Sequence, residues 1–364
     1  MSDLLKDLIT REYLQEIAVD IQSAYPPFQV EAFLNATFSS PWDALELKGR
    51  MKHIAMTLGK FLPQDYPEAI SIIDKTIVNQ GNWRDSLCWF FLDFIEIFGQ
   101  DEEYWDVSIS AMARYTRYAS AEFAVRPFII NHQERMMAQM YEWSKNECEH
   151  IRRLSSEGCR PALPWGQALN AFKKDPAPVL PILAQLKTDP AIYVRKSVAN
   201  NLNDISKTHP DLVAKIAKDW YGENEHTNWI VKHGCRTLLK KGNAEVLSLF
   251  GFDNAESIDF DGFSLQPSAV NIGEEITFSF TIHLKSPTKV RLEYAIDFVK
   301  ANGKRNRKIF QISEIAMKEN EKKTYTKKHS LADLSTRKHY GGMHSLSIII
   351  NGAERGTLDF ELNN

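Results

Sequence analysis

Tyr193-Val194-Arg195-Lys196-Ser197-Val198-Ala199-Asn200-Asn201-Leu202-Asn203-Asp204 carries apolar side chains at Val194, Val198 and Leu202. That i, i+4, i+8 spacing places the three on one stripe of an α-helix and predicts a core-facing seam. Asn201 and Asp204 fall on a different face, where solvation or capping is the plain expectation and a polar binding groove the sharper one. Working outward, Ala177 to Ile205 reads as two antiparallel helices and Asp211 to Leu239 as two more. Pairing Leu180 with Val213, Leu183 with Ile216, Val194 with Ile230 and Leu202 with Leu238 keeps apolar positions in step at an offset of 33 to 36 residues. A period of that length is within reach of helical-repeat families, in which stacked helix pairs bury their apolar faces against their neighbours; the repeat is degenerate, and an ordinary helical bundle can produce similar matches.

The helical pattern extends back towards the N-terminus. Ser40-Pro41-Trp42-Asp43-Ala44, Pro63-Gln64-Asp65-Tyr66-Pro67 and Asp189-Pro190-Ala191 each set turn or capping residues before an apolar-periodic run. Beyond about residue 250 the pattern changes to short alternating runs rich in Val, Ile, Thr and Phe, broken by Gly, Pro and Asn. Strands are expected near Phe263–Gln266, Glu275–Leu284, Val290–Val299, Lys308–Ile312, Lys323–Leu331, Gly342–Ile350 and Thr357–Leu362. Turns at Lys300-Ala301-Asn302-Gly303-Lys304 and Asn351-Gly352-Ala353-Glu354 supply residues that tolerate positive φ. The expected architecture is a multidomain α and β chain. An α-solenoid in residues 1–250 is followed by an immunoglobulin-like β-sandwich in residues 254–364, although the tail has no Cys or Trp and so lacks the Cys-Trp-Cys core of antibody domains.

A length of 364 residues suits two or three domains, and 43% hydrophobic content is enough for real cores. Cys88, Cys148, Cys159 and Cys235 form no C-x-x-C pair, which argues against a disulfide scaffold or zinc ribbon and fits a reducing compartment. The acidic start Met1-Ser2-Asp3-Leu4-Leu5-Lys6-Asp7 is unlike a secretory signal, and no run of about 18 apolar residues suggests a membrane span. A soluble, cytoplasmic protein without membrane contact is expected.

The near-neutral formal charge of -3 conceals a gradient. Residues 1–113 hold 8 basic against 18 acidic groups, a net of −10, whereas residues 114–241 hold 20 against 13, a net of +7. Within the tail, residues 285–338 carry 15 basic and 6 acidic groups, a net of +9. The run Lys304-Arg305-Asn306-Arg307-Lys308 follows a turn, and a loop of that composition can meet a phosphate backbone. The plainer alternative is that these groups solvate exposed faces. Basic segments on two domains would also let both grip one extended polyanion.

Three segments could carry chemistry. The densest is Arg152-Arg153-Leu154-Ser155-Ser156-Glu157-Gly158-Cys159-Arg160-Pro161-Ala162-Leu163-Pro164-Trp165, which combines arginines, a carboxylate beside a glycine that would let the chain turn, and two prolines delivering an indole. The alternative is that Glu157 neutralises Arg153 or Arg160 on the surface while Trp165 anchors the next helix. A second segment, Ala121-Glu122-Phe123-Ala124-Val125-Arg126-Pro127-Phe128, sets a carboxylate beside an aromatic before a proline-initiated helix. The third is the Tyr193–Asp204 helix. There is no P-loop, dinucleotide fingerprint, G-x-S-x-G elbow or H-E-x-x-H helix, and the ten His are dispersed, so no metal site and no cofactor are indicated.

Arg152–Trp165 and Val194–Pro210 resemble bacterial DNA alkylation repair glycosylases of the AlkC and AlkD superfamily, the first segment pointing to the AlkC branch. The likeness covers the helical region, and the tail is similar to the immunoglobulin-like extension of some AlkC proteins. The resemblance implies a HEAT-like repeat DNA glycosylase domain, no metal or cofactor, and a monomer acting on double-stranded DNA containing alkylated bases. It further implies monofunctional excision of cationic N3-alkylated bases, 3-methyladenine and 3-methylcytosine, without base flipping, leaving an abasic site. Such a base departs neutral while positive charge develops on the sugar, so a carboxylate and an indole face are the needed groups.

On that implication Glu157, Glu122, Trp165 and Asp204 are the expected catalytic residues. Glu157 is preferred, but its division of roles with Glu122 stays open because the catalytic Asp motif of AlkD is not evident. Arg153 would hold a phosphate near the lesion. Further DNA contacts are expected from Arg152, Arg160, Arg195, Lys196 and Asn201 in the helical part, and from Lys304, Arg305, Arg307, Arg337 and Lys338 in the tail. The competing expectation is a noncatalytic HEAT-repeat scaffold that binds DNA or protein.

Overall fold

The computed structural model describes residues 5–79, 89–252, 255–334 and 337–363. Cys88 and Met1 to Leu4 lie outside the described residues. The helices are, in order, α1 (Arg11–Ala24), α2 (Val30–Thr37), α3 (Leu47–Phe61), α4 (Tyr66–Asn79) and α5 (Phe90–Phe98). Then come α6 (Trp105–Tyr115), α7 (Val125–Asn131), α8 (Gln133–Trp143), α9 (Glu149–Glu157), α10 (Asn170–Lys174) and α11 (Leu180–Gln185). The last five are α12 (Ile192–Ile205), α13 (Pro210–Trp220), α14 (Glu225–Gly234), α15 (Arg236–Lys240) and α16 (Ala244–Leu249).

Two compact units result: Met1–Thr208 with Gly222–Gly234, and His209–Tyr221 with Cys235–Asn364. In the first, neighbouring helices pack in succession: α1 on α2 and α4, α3 on α2 and α5, α8 on α7 and α9. α12 lies between α9 and α14 and is therefore covered on two sides. Val194, Val198 and Leu202 are buried, as their spacing requires. Asp65 Oδ1 accepts from the Glu68 amide at 2.8 Å and Asp189 Oδ1 from the Ala191 amide at 2.8 Å, so two of the sequence punctuations satisfy backbone donors at helix starts. Ser40-Pro41 instead opens a short 3-10 turn, Trp42–Ala44, ahead of α3.

The helix expected to run on to Leu239 breaks after Gly234 into α14 and α15. A Cβ at Gly234 would stand 3.1 Å from the Leu202 Cβ, so close approach to α12 favours glycine, and glycine is a poor helix former. Secondary structure changes from helix to strand between α16 and the first strand. Compactness divides the chain elsewhere, because α16 packs on α13 and Leu247 closes on Gly352 in the second unit.

Eight strands follow: β1 (Ile258–Gln266), β2 (Ala269–Asn271), β3 (Glu275–Leu284), β4 (Thr288–Val299), β5 (Arg305–Met317), β6 (Lys322–Ser330), β7 (Gly342–Ile350) and β8 (Ala353–Asn363). They form a three-stranded sheet, β1-β3-β6, and a five-stranded sheet, β2-β8-β7-β4-β5. Alternate residues such as Phe278, Phe280, Ile296 and Leu346 fill the space between the sheets. The strand missed by sequence, β2, has three residues and pairs parallel to β8, too short for alternation to register. β1 begins earlier than expected because an irregularity between Asp261 and Ser264, around Gly262 at φ +63°, interrupts its period of two. The basic run Arg305–Lys308 is not a loop: it opens β5, a sheet edge, paired with Val299–Ile296 of β4. Only Lys304 of that run remains in the turn, whose Gly303 takes φ +73°.

Candidate active site

α9 ends at Glu157, and the chain then runs through 158–169 before α10. What shapes this segment is Arg126, on the first turn of α7 and 1% exposed. Its guanidinium donates to the carbonyls of Gly158 at 2.9 Å, Arg160 at 3.0 Å and Gln167. Burial pushes Arg126 down to about 10, still charged at neutral pH. Gly158 does not turn the chain by positive φ, since its φ is −61°. It is small for packing: a Cβ there would meet Val125 Cγ2 at 2.6 Å and Met140 Cε at 2.8 Å.

Around this frame runs a chain of alternating charges. Arg153 donates to Glu122 and to Ser120, and stands 3.5 Å from Glu157 Oε1. Arg160 donates to the same Glu157 oxygen at 2.6 Å and to Asp204 Oδ2 at 2.8 Å. Lys207 closes the series on Asp204 Oδ1 at 2.8 Å. Burial works against the charge of Arg153 and Arg160, but their carboxylate partners outweigh it and hold both above the ordinary arginine value. Glu122, Glu157 and Asp204 are thus joined by two arginines. The contacts to Glu157 fall on Oε1 and those to Glu122 on Oε2, which leaves one oxygen of each clear of hydrogen bonds among the described residues.

The surface alternative for Glu157 does not hold, since it is 4% exposed. Trp165 does not anchor the next helix either: it is 69% exposed and takes φ +63°. The Trp165 carbonyl accepts from Lys48 Nζ at 2.8 Å, and that ammonium lies 3.9 Å from the Phe123 ring centroid, one residue from Glu122. Tyr193 stacks under Arg153 at 5.0 Å, with His150 beside it.

Among the expected DNA contacts, Arg160 and Asn201 lie in the interior. Arg160 is committed to two carboxylates, and Asn201 donates to the Ser156 carbonyl at 2.8 Å. The physical reason is that α12 is buried on its α9 face as well as its α14 face, so its polar side meets protein where solvent or DNA was expected. Arg152 forms a two-pronged pair with the buried Asp189, at 2.6 and 3.1 Å. Arg195 donates to the Asp189 and Pro190 carbonyls, whereas Lys196 is exposed. In the second unit Arg305 bonds Ser345 and the Met343 carbonyl, and Arg307 bonds Asp297 and Glu354. Arg337 lies over Phe298 and Phe310, while Lys304 and Lys338 are exposed.

Residues 103–239 match the family described as DNA alkylation repair enzyme, and residues 259–364 match the C-terminal Ig-like domain of the uncharacterised protein YhaZ. The uncharacterized protein YhaZ of Bacillus subtilis (strain 168) is 48% identical over 362 residues, with 100% of both chains covered. The structure of Pseudomonas fluorescens alkylpurine DNA glycosylase AlkC, bound to DNA containing an abasic site analog, is 34% identical with a TM-score of 0.94, covering 100% of both chains. The chain belongs to the AlkC family of DNA alkylation repair glycosylases.

The AlkC fold, a helical-repeat region with a C-terminal immunoglobulin-like domain, is the one described above. In this AlkC-family enzyme, sequence reading missed Arg126, Ser120, Lys207 and Lys48. Arg126 and Lys48 act on backbone carbonyls, which leave no mark in a sequence. Lys207 was the most legible, because it stands three residues after Asp204, in the turn that ends α12.

Proposed function

We propose that this AlkC-family enzyme excises cationic N3-alkylated bases, 3-methyladenine and 3-methylcytosine, from double-stranded DNA, leaving an abasic site in an uncut strand. The observation that carries this reading is the bridging of Glu122 and Glu157 by Arg153, with a carboxylate oxygen of each left clear. As the bond from C1′ to the base nitrogen breaks, its electron pair neutralises the departing base and the sugar becomes oxocarbenium-like. The free carboxylate oxygens face that developing charge, and one takes the proton of the water that adds to C1′. Arg153 and Arg160 fix the carboxylates by occupying their other oxygens, and Asp204 orients Arg160. Trp165 presents an exposed indole face to the cationic base, a surface contact that suits excision without extrusion into a deep pocket. Exposed Lys196, Lys304 and Lys338 are left to meet phosphates.

The test is a single-turnover time course of free bases released from N-methylated duplex DNA. Glu157→Gln is expected to slow release ~10²- to 10³-fold, by comparison with loss of an oxyanion-type stabiliser, with DNA affinity nearly unchanged. Release at the parent rate would remove Glu157 from the mechanism, and no release by the parent chain would favour the scaffold.

A further inference from the structure

Trp165 is held in an unusual way. Its φ of +63° lies in the left-handed region, which a bulky side chain adopts only when its surroundings enforce it. With the indole 69% exposed, packing supplies little of that enforcement. From inside, Arg126 holds the Gln167 carbonyl, and the Gly166 amide closes a turn on the Leu163 carbonyl at 3.1 Å. From outside, the contact on Trp165 itself is the 2.8 Å hydrogen bond from Lys48, which is 117 residues away in sequence.

Lys48 stands on the first turn of α3, and its ammonium touches two segments at once. It donates to Trp165 and lies against the ring of Phe123, so the chain stretches bearing Trp165 and Glu122 share one cation. On α5, Asp93 and Glu96 are close enough to feel the charges of Lys48 and Lys52. Burial, reinforced by Glu96, pushes Asp93 up to about 7 despite those lysines.

We propose that Lys48 is a positioning residue for base excision, holding Trp165 and the Glu122–Phe123 segment in one fixed arrangement from α3. The inference rests on the reading of Trp165 and Glu122 given above. Lys48 acts on the chemistry through them: one N–H of its ammonium goes to the Trp165 carbonyl, and its charge lies on the Phe123 face. The ammonium is what matters. A side chain of equal length without a donor would leave the strained Trp165 backbone without this outer hold, while one with a guanidinium would restore it.

The experiment uses the full chain carrying 5-fluorotryptophan, with the Trp165 ¹⁹F resonance assigned by its loss in Trp165→Phe. Lys48→Met is expected to shift or broaden that resonance and to lower the single-turnover excision rate about tenfold, the scale of one charge-assisted hydrogen bond. DNA affinity should stay within about twofold, since the lysine is not assigned a phosphate. Lys48→Arg should recover both the resonance and the rate. An unmoved resonance in Lys48→Met overturns the proposal, as does an unchanged excision rate, or a loss accompanied by a lower melting temperature that arginine does not rescue. Failure of the functional reading would show elsewhere, as an inactive parent chain or a fully active Glu157→Gln.

Discussion

Arg160 illustrates what a basic side chain in a promising motif can turn out to do. It is 7% exposed and gives its donors to Glu157 and Asp204, so replacing it leaves the buried Glu157 only the longer 3.5 Å approach of Arg153 and the buried Asp204 only Lys207. Arg160→Met should lower unfolding stability by about 3–5 kcal/mol, the usual result of removing one partner from a buried ion pair. Chemical denaturation checks this. The slope of log DNA affinity against log salt should meanwhile match the parent, because losing a phosphate contact would lower it by about 1. A reduced slope would place Arg160 on the DNA after all. At this scale the residue types of the site were legible: Arg153 and Arg160 each stand within four positions of Glu157. Arg126 was not, because an arginine before a proline has no signature of the three carbonyls it will meet.

Within single elements, the clearest pH-sensitive group is His329 on β6. Its Nδ1 shares a hydrogen bond of 2.9 Å with the Tyr294 hydroxyl, and its buried Nε2 has no hydrogen-bond partner among the described residues. Burial first, then the positive charges of Arg337 and His339, pushes it down from 6.5 to about 4. The folded-state value therefore lies below the unfolded one, and the unfolded chain takes up the proton first. Stability is fully present above pH 6.5 and drains away as pH falls towards 4, by at most about 3 kcal/mol. Thermal melts of the β-rich unit across that window should show the slope, and His329→Gln should flatten it. Periodicity located the seven expected strands, with β3, β4, β6 and β7 within two residues at each end, but could not reveal such a group, because burial of a histidine depends on which sheet covers it. The same holds for α12: its spacing identified the Val194–Val198–Leu202 seam, yet not the second covered face that buries Asn201.

Across the whole molecule, the sequence shifts from helix to strand near residue 254, but compactness follows other lines. α13, α15 and α16 belong with the strands, and Leu247 of α16 is buried close to Gly352 in the β7–β8 turn. A fragment ending at residue 253 would remove that turn and uncover Leu247, a side chain worth about 1.5–3 kcal/mol when fully buried. Hydrogen exchange should therefore quicken in 209–221 and 235–252 of the fragment, while 105–205 keeps the protection seen in the full chain. Equal protection throughout would show that the helices need nothing from the strands.

The amino-acid order alone determined the two periodicities, the helix starts at Asp65 and Asp189, the glycine-bearing turns and the resemblance to AlkC, because each depends on residues close together in the chain or on an unbroken motif. Tertiary structure decided which charges meet. Glu122, Glu157 and Asp204 span 82 positions and become one network only when α9 and α12 pack and Arg126 draws the intervening chain inward. Coulomb attraction and desolvation act through distance in space, and no local pattern encodes that distance.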